Sequence, residues 1–252
     1  LYFTLCELAA DGGFYNRTAL STSRDLVAWT EPVPLTPRDR TLNYSSPGNV
    51  VRFEGEWVLC LQSYPTPNLE TFGNRTSRLF TMRSGDLVRW SEPELLRVKG
   101  PDVPITAMGR MIDPYLLADA AEPGRWWCFY KQRGVSLSTG TDLETWTYVG
   151  RADAGENVTV IRDAGEYVMF HSPENGIGVK RSIRPDRWGG DEAWLTLGQA
   201  SWPWAQGRLT AATVLVAGLL VGFSALHAAA ALVLVVLVGG VTAPIAVGAG
   251  TR

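Results

Sequence analysis

The sequence predicts an all-β fold, a five-bladed β-propeller incomplete in its N-terminal blade and aberrant in its fifth, and three observations lead there. A unit of short strands recurs four times, each copy closing on Asp-Leu-x-x-Trp or a variant of it. The closing tryptophans, Trp29, Trp90, Trp146 and Trp188, are 61, 56 and 42 residues apart, a period that suits units of a few strands each. Helical periodicity is nearly absent, and turn pairs such as Asp11-Gly-Gly13, Glu54-Gly55, Ser84-Gly85 and Asp163-Ala-Gly165 punctuate the apolar runs.

The first copy opens on the aromatic strand Leu1-Tyr-Phe-Thr-Leu-Cys-Glu-Leu and closes on Ser23-Arg-Asp-Leu-Val-Ala-Trp29. The second reads as strands over residues 50–53, 56–62, 78–82 and 94–98. In the third, Trp126-Trp-Cys-Phe-Tyr leads to Gly140-Thr-Asp-Leu-Glu-Thr-Trp146, and in the fourth Glu166-Tyr-Val-Met-Phe-His-Ser leads to Ser182-Ile-Arg-Pro-Asp-Arg-Trp188. The closing motif predicts a tight turn whose Asp caps backbone amides while its Leu and Trp pack between blades. Copies two to four carry a further strand ahead of the aromatic one: Asn49-Val-Val-Arg-Phe, Asp113-Pro-Tyr-Leu-Leu and Glu156-Asn-Val-Thr-Val-Ile. The first copy starts without it, on a Leu in mid-strand, so the N-terminus reads as the edge of a fragment. A fifth unit starts at Gly207-Arg-Leu-Thr-Ala-Ala-Thr-Val-Leu.

The chain therefore divides into a propeller region, residues 1–210, and a tail, residues 211–252. No Asp, Glu, Lys or Arg follows Arg208 until Arg252, and 33 of the 42 tail residues are Ala, Val, Leu or Gly. Such a run reads as a transmembrane segment. It also reads as a shifted reading frame in GC-rich coding DNA, because a membrane span would leave the fifth blade unfinished with an open strand edge.

Of 252 residues, 46% are apolar and 19% charged, ordinary for a globular chain, and the formal charge is -2. That balance argues against nucleic acid, which needs a clustered basic surface, and any membrane contact is expected only through the tail. The compartment stays open between cytoplasm and secretion. Cys6, Cys60 and Cys128 fall at similar places in three aromatic strands without a C-x-x-C or a neighbouring His, and read as small buried hydrophobes. No metal or cofactor is predicted: His171 ends an aromatic strand and His227 lies in the tail, and neither forms a ligand set. Sequons at Asn16, Asn43, Asn74 and Asn157 would matter only in a secreted eukaryotic protein.

The innermost strands of a propeller converge on its axis. Two carboxylates open such strands: Asp113 in Arg110-Met-Ile-Asp-Pro-Tyr, and Glu156 in Ala154-Gly-Glu-Asn-Val-Thr. Each is followed at once by an apolar strand, unlike a surface charge. Paired carboxyls across a water-filled hub are what glycosidic cleavage needs, one protonating the leaving oxygen while a partner activates water or attacks. Asn49 stands at the matching entrance of the second copy and could donate to sugar hydroxyls or serve as a turn residue. Trp202, Trp204, Gln206 and Arg208 offer aromatic faces and polar groups for a sugar, or a packed core. Arg110 could hold a carboxylate or solvate a loop.

On these repeats, the Ile112-Asp-Pro-Tyr motif and the run from Gly155-Glu-Asn-Val-Thr-Val-Ile to Phe170, residues 1–210 resemble the five-bladed propeller glycoside hydrolases, nearest family 43 and more distantly families 32 and 68. The resemblance implies a carbohydrate substrate of the arabinoside, xyloside, galactoside or fructoside class, with Glu156 as general acid and Asp113 as the carboxylate that orients and tunes it. It implies a raised pKa on Glu156, and inversion if acid and base stand roughly 6.5–9.5 Å apart. The family's base, an Asp on the innermost strand of blade one, would precede Leu1 and has no counterpart here. That leaves a non-catalytic carbohydrate-binding propeller, or a glycoside phosphorylase of similar fold, as alternatives.

Overall fold

The computed structural model describes residues 1–173, 177–190 and 193–195. The start of the fifth unit, the tail 211–252 and the expected sugar-binding residues Trp202, Trp204, Gln206 and Arg208 lie outside the described residues. Within them there is no α-helix; one 3₁₀ turn, Ile105–Ala107, stands among strands.

Four antiparallel sheets follow one another along the chain. The first holds β1 (Tyr2–Leu8), β2 (Phe14–Leu20) and β3 (Val33–Pro34). The second holds β4 (Tyr44–Ser45), β5 (Val50–Phe53), β6 (Glu56–Ser63), β7 (Leu79–Ser84) and β8 (Glu94–Leu95), with β4 and β5 both paired to β6. The third runs β9 (Ile112–Ala118), β10 (Trp126–Lys131), β11 (Val135–Gly140) and β12 (Trp146–Ala152). The fourth runs β13 (Glu156–Asp163), β14 (Glu166–Ser172), β15 (Ile177–Ser182) and β16 (Ala193–Leu195). Each is a meander of the kind that makes a propeller blade. Among the described residues β1 pairs only with β2.

Alternation along the second strand of each sheet builds the core. In β10, Trp126, Cys128 and Tyr130 face a cluster shared with the second sheet (Val58, Cys60, Leu79, Val98), while Trp127 and Phe129 face one shared with the fourth (Val158, Val160, Tyr167, Met169). Both faces are apolar, which is why the strand reads as a continuous aromatic run. Cys60 and Cys128 are buried, and burial pushes the Cys60 thiol up to about 11. Cys6, expected to be buried like them, is exposed, because no strand covers the free edge of β1 among the described residues.

The closing turns repeat one geometry. Asp25, Asp86 and Asp142 each accept from the two amides that lie two and three residues on, at 2.6–3.0 Å. The following Leu26, Leu87 and Leu143 adopt positive φ of 59–66°, and their carbonyls accept from the indole N–H of Trp29, Trp90 and Trp146. In the fourth copy Pro185 replaces the Leu, and its carbonyl accepts from Trp188 at 2.8 Å.

Three of the turn tryptophans pack on the preceding blade. Trp90 meets Tyr2 edge to face at 5.4 Å, Trp188 meets Phe129 at 6.2 Å, and Trp146 joins the cluster with the second sheet. Trp29 departs from the expected packing role. It is 39% exposed, having no preceding blade among the described residues.

Candidate active site

The first strands of the third and fourth sheets lie side by side, and each begins with an irregularity. Opposite β10 the register shifts between Phe129 and Lys131, leaving Asp113 and Pro114 against a single residue, Tyr130. Opposite β14 it shifts between Glu156 and Thr159, leaving Asn157 and Val158 against His171. The first bulged residue is left-handed in both, with φ 55° at Asp113 and 54° at Asn157; Ser46, in the corresponding break between β4 and β5, has φ 42°. Asp, Asn and Ser are short polar residues, and Asp and Asn tolerate this backbone best among residues with a Cβ.

These bulges bring Asp113 and Glu156 together. The Asp113 carboxyl lies near the backbone N–H of Asn157, the residue after Glu156, and feels the Glu156 charge. Burial first, and the Glu156 charge second, push the Asp113 carboxyl up to about 7, while Lys131, Arg110 and the Asn157 amide pull the other way. Lys131, at the end of β10, places its ammonium 3.5 Å from Glu156 Oε2. Both carboxyl side chains are half-buried, so each retains access to solvent. The Asp113 N–H donates to Gln62 Oε1 of the second sheet at 2.7 Å, and Gln62 is 2% exposed.

Two glycines permit close backbone contacts beside the site, Gly48 between the second and third sheets and Gly155 within the fourth. A Cβ on Gly48 would stand 1.8 Å from the Pro114 carbonyl oxygen, and one on Gly155 would stand 1.9 Å from that of Ser172. Both contacts are with backbone, so neither glycine can be replaced without moving a strand.

Arg110 sits at the rim of this site. Its Nε donates to the Gly73 carbonyl at 3.0 Å, its guanidinium lies 5.6 Å from the Tyr64 ring centroid, and its charge reaches Asp113. The Gln132 amide donates to the Met108 and Arg110 carbonyls at 2.9 and 3.1 Å, fixing the approach to β9.

Asn49, expected at the entrance of the hub, reaches the first strand of the third sheet. Its Nδ2 donates to the Leu116 carbonyl at 2.8 Å and its Oδ1 accepts from the Leu116 N–H at 2.9 Å. Both ends of the amide are thus committed to the backbone of β9, and Asn49 clamps the second sheet to the third. Lys131, Gln62 and His171 are polar neighbours of the site that strand patterns alone did not single out; Gly155, directly before Glu156, was the one sequence hint of a tight approach. Asn43 is fully buried and its side chain bonds the Asn16 N–H and the Thr66 hydroxyl, which closes that sequon to modification in the folded chain. Among the described residues no group of three His, Cys, Asp or Glu side chains is disposed to hold a metal ion.

No protein-family model matches the chain, and no curated protein matches it. Solved structures do. A β-fructofuranosidase of family 32 from Bombyx mori is similar with a TM-score of 0.53 at 16% identity, over 78% of this chain and 46% of that one. An exo-1,5-α-L-arabinanase from a bovine ruminal metagenomic library gives 0.51 at 17% identity, over 77% and 73%. A family 117 glycoside hydrolase from Zobellia galactanivorans gives 0.50 at 15% identity, over 61% of this chain and 57% of that structure's length. The chain thus spans just over half the length of the family 117 structure. These likenesses establish a shared fold: an all-β, propeller-type architecture found in glycoside hydrolases.

Proposed function

We propose that this chain is a glycosidase of the five-bladed propeller type, hydrolysing O-glycosidic bonds of the arabinoside, xyloside, galactoside or fructoside class. The observation that carries the reading is the meeting of Asp113 and Glu156 at the starts of adjacent first strands. In this reading Glu156 protonates the departing glycosidic oxygen, and Asp113, its own carboxyl pushed up to about 7, orients and tunes it. Lys131 beside Glu156 adds a cation that a substrate hydroxyl or the leaving oxygen could meet. Arg110 lines the rim, and Trp202, Trp204, Gln206 and Arg208 remain proposed sugar contacts. Water is activated by a further base, and inversion follows if that base stands roughly 6.5–9.5 Å from the acid.

The test is a series of aryl glycosides of graded leaving-group acidity with the Glu156→Gln variant. Loss of a general acid costs roughly 10² to 10⁴ in rate for poor leaving groups, and far less for dinitrophenolate, which departs without a proton. An equal loss across the series would remove Glu156 from the acid role. A second reading, a carbohydrate-binding propeller without turnover, is favoured by one observation: no third acidic group joins the pair among the described residues. Sugar binding by the wild-type chain with no hydrolysis anywhere in the series would select it.

A further inference from the structure

We infer that His171 is a positioning residue for Glu156, acting through the backbone amide of Gly155. The inference rests on reading Glu156 as the proton donor. His171 is the penultimate residue of β14, 2% exposed, and its Nδ1 accepts from the Gly155 N–H at 2.9 Å. Nδ1 serves here as a lone-pair acceptor for the Gly155 amide.

Gly155 has little freedom of its own. On one side the Ser172 carbonyl oxygen lies where a Cβ would fall, 1.9 Å away, and on the other the His171 ring holds its amide. Glu156 leaves this fixed point directly opposite Ser172, and Asn157 then turns left-handed so that its amide reaches Asp113. Residues 155–157 therefore form one short arm. It presents Glu156 to Lys131 and the Asn157 amide to Asp113, and His171 anchors its root. The third blade anchors its own bulge in a parallel way, with Gln62 Oε1 accepting from the Asp113 N–H. In each case a buried acceptor holds an amide that the strand ladder does not pair, within the register shift at Asp113 and just ahead of the strand at Gly155.

The experiment compares His171→Leu, which deletes the acceptor, with His171→Asn, whose Oδ1 stands where Nδ1 stood. Two readouts are taken once thermal unfolding shows each variant folded: kcat and KM on the aryl glycosides, and the titration midpoint of the Asp113 carboxyl by carbon NMR. In His171→Leu the arm loosens, so kcat falls by about 10²-fold, the scale of a roughly 1 Å misplacement, while KM stays within about threefold of wild type. The Asp113 midpoint moves down as the Glu156 charge moves off. His171→Asn restores both.

A folded Leu variant with wild-type kcat and midpoint overturns the inference, and so does an equal loss in Leu and Asn. If His171→Leu does not fold, the Asn variant decides alone: an unchanged Asp113 midpoint supports the anchor and a displaced one overturns it. If wild type hydrolyses no glycoside, the functional reading fails, and the midpoint still decides whether His171 holds the arm.

Discussion

Replacing Asp113 with Asn is expected to stabilise the protein at neutral and alkaline pH and to leave it unchanged in acid. The Asp113 carboxyl is pushed up to about 7 from 3.8, by burial and then by the charge of Glu156. Each pH unit is worth about 1.4 kcal/mol, so the full shift corresponds to ~4 kcal/mol. Water reaching the half-buried side chain reduces that to roughly 2–4 kcal/mol. Between about pH 4 and 7 the folded chain holds a proton that the unfolded chain has released, so wild-type stability falls as pH rises through that window. Below pH 4 both states are protonated and the variant gains nothing; above pH 7 the wild type bears the whole cost of an ionised, crowded carboxylate. Asn keeps the geometry, since it tolerates the positive φ of 55° at this site. Urea unfolding of both proteins at intervals from pH 4 to 8 measures the difference directly. Curves that run parallel over the whole range would refute the account of Asp113.

Asn49→Ala removes both hydrogen bonds to Leu116 and leaves that backbone unpaired at the blade interface; a loss of about 2 kcal/mol is expected in urea unfolding, and a loss below about 0.5 kcal/mol would show the clamp to be incidental. Asp142→Ala is expected to cost about 1 kcal/mol or more, because its turn carries Leu143 and Trp146, 3% and 1% exposed; Asp25→Ala, in the same local geometry with Leu26 and Trp29 exposed, is expected to cost clearly less. Equal losses would mean that the cap acts without its packed tryptophan. A thiol reagent at pH 8 is expected to label Cys6 alone in the native chain, since Cys60 and Cys128 are buried with their thiols pushed well up. Peptide mass mapping that finds Cys60 labelled as fast as Cys6 would contradict the packing between the second and third sheets.

The sequence carried what depends on neighbours along the chain. Alternation and turn residues placed the strands of the second sheet close to where they lie, and the break before Glu156 and before Ile112-Asp113 marked the starts of β13 and β9. The closing motif predicted its own hydrogen bonds, because a short acidic side chain reaches amides two and three residues on wherever the turn is built. What it could not carry is set by neighbours across the blades. Trp29 and Trp146 share a motif and an indole hydrogen bond, yet one is 39% exposed and the other 1%, because burial depends on which sheet stands alongside. Asn49 stands at the entrance position of its strand, yet the partner of its amide is 67 residues away, and nothing in either segment announces the pairing.

The same reasoning bears on the site. Asp113 owes its raised proton affinity to burial between blades and to a charge 43 positions away in sequence. Its N–H is held by Gln62 from the sheet before, and its carboxyl lies near Glu156 of the sheet after. A motif such as Ile112-Asp-Pro-Tyr can therefore locate a carboxyl but cannot say which member of a pair holds the proton, since that depends on how closely three separate sheets are drawn together. Gly48 sets that closeness between the second and third sheets by lacking a side chain where their strands touch backbone to backbone, so the proton affinity of Asp113 is a property of the blade packing before it is a property of the acid.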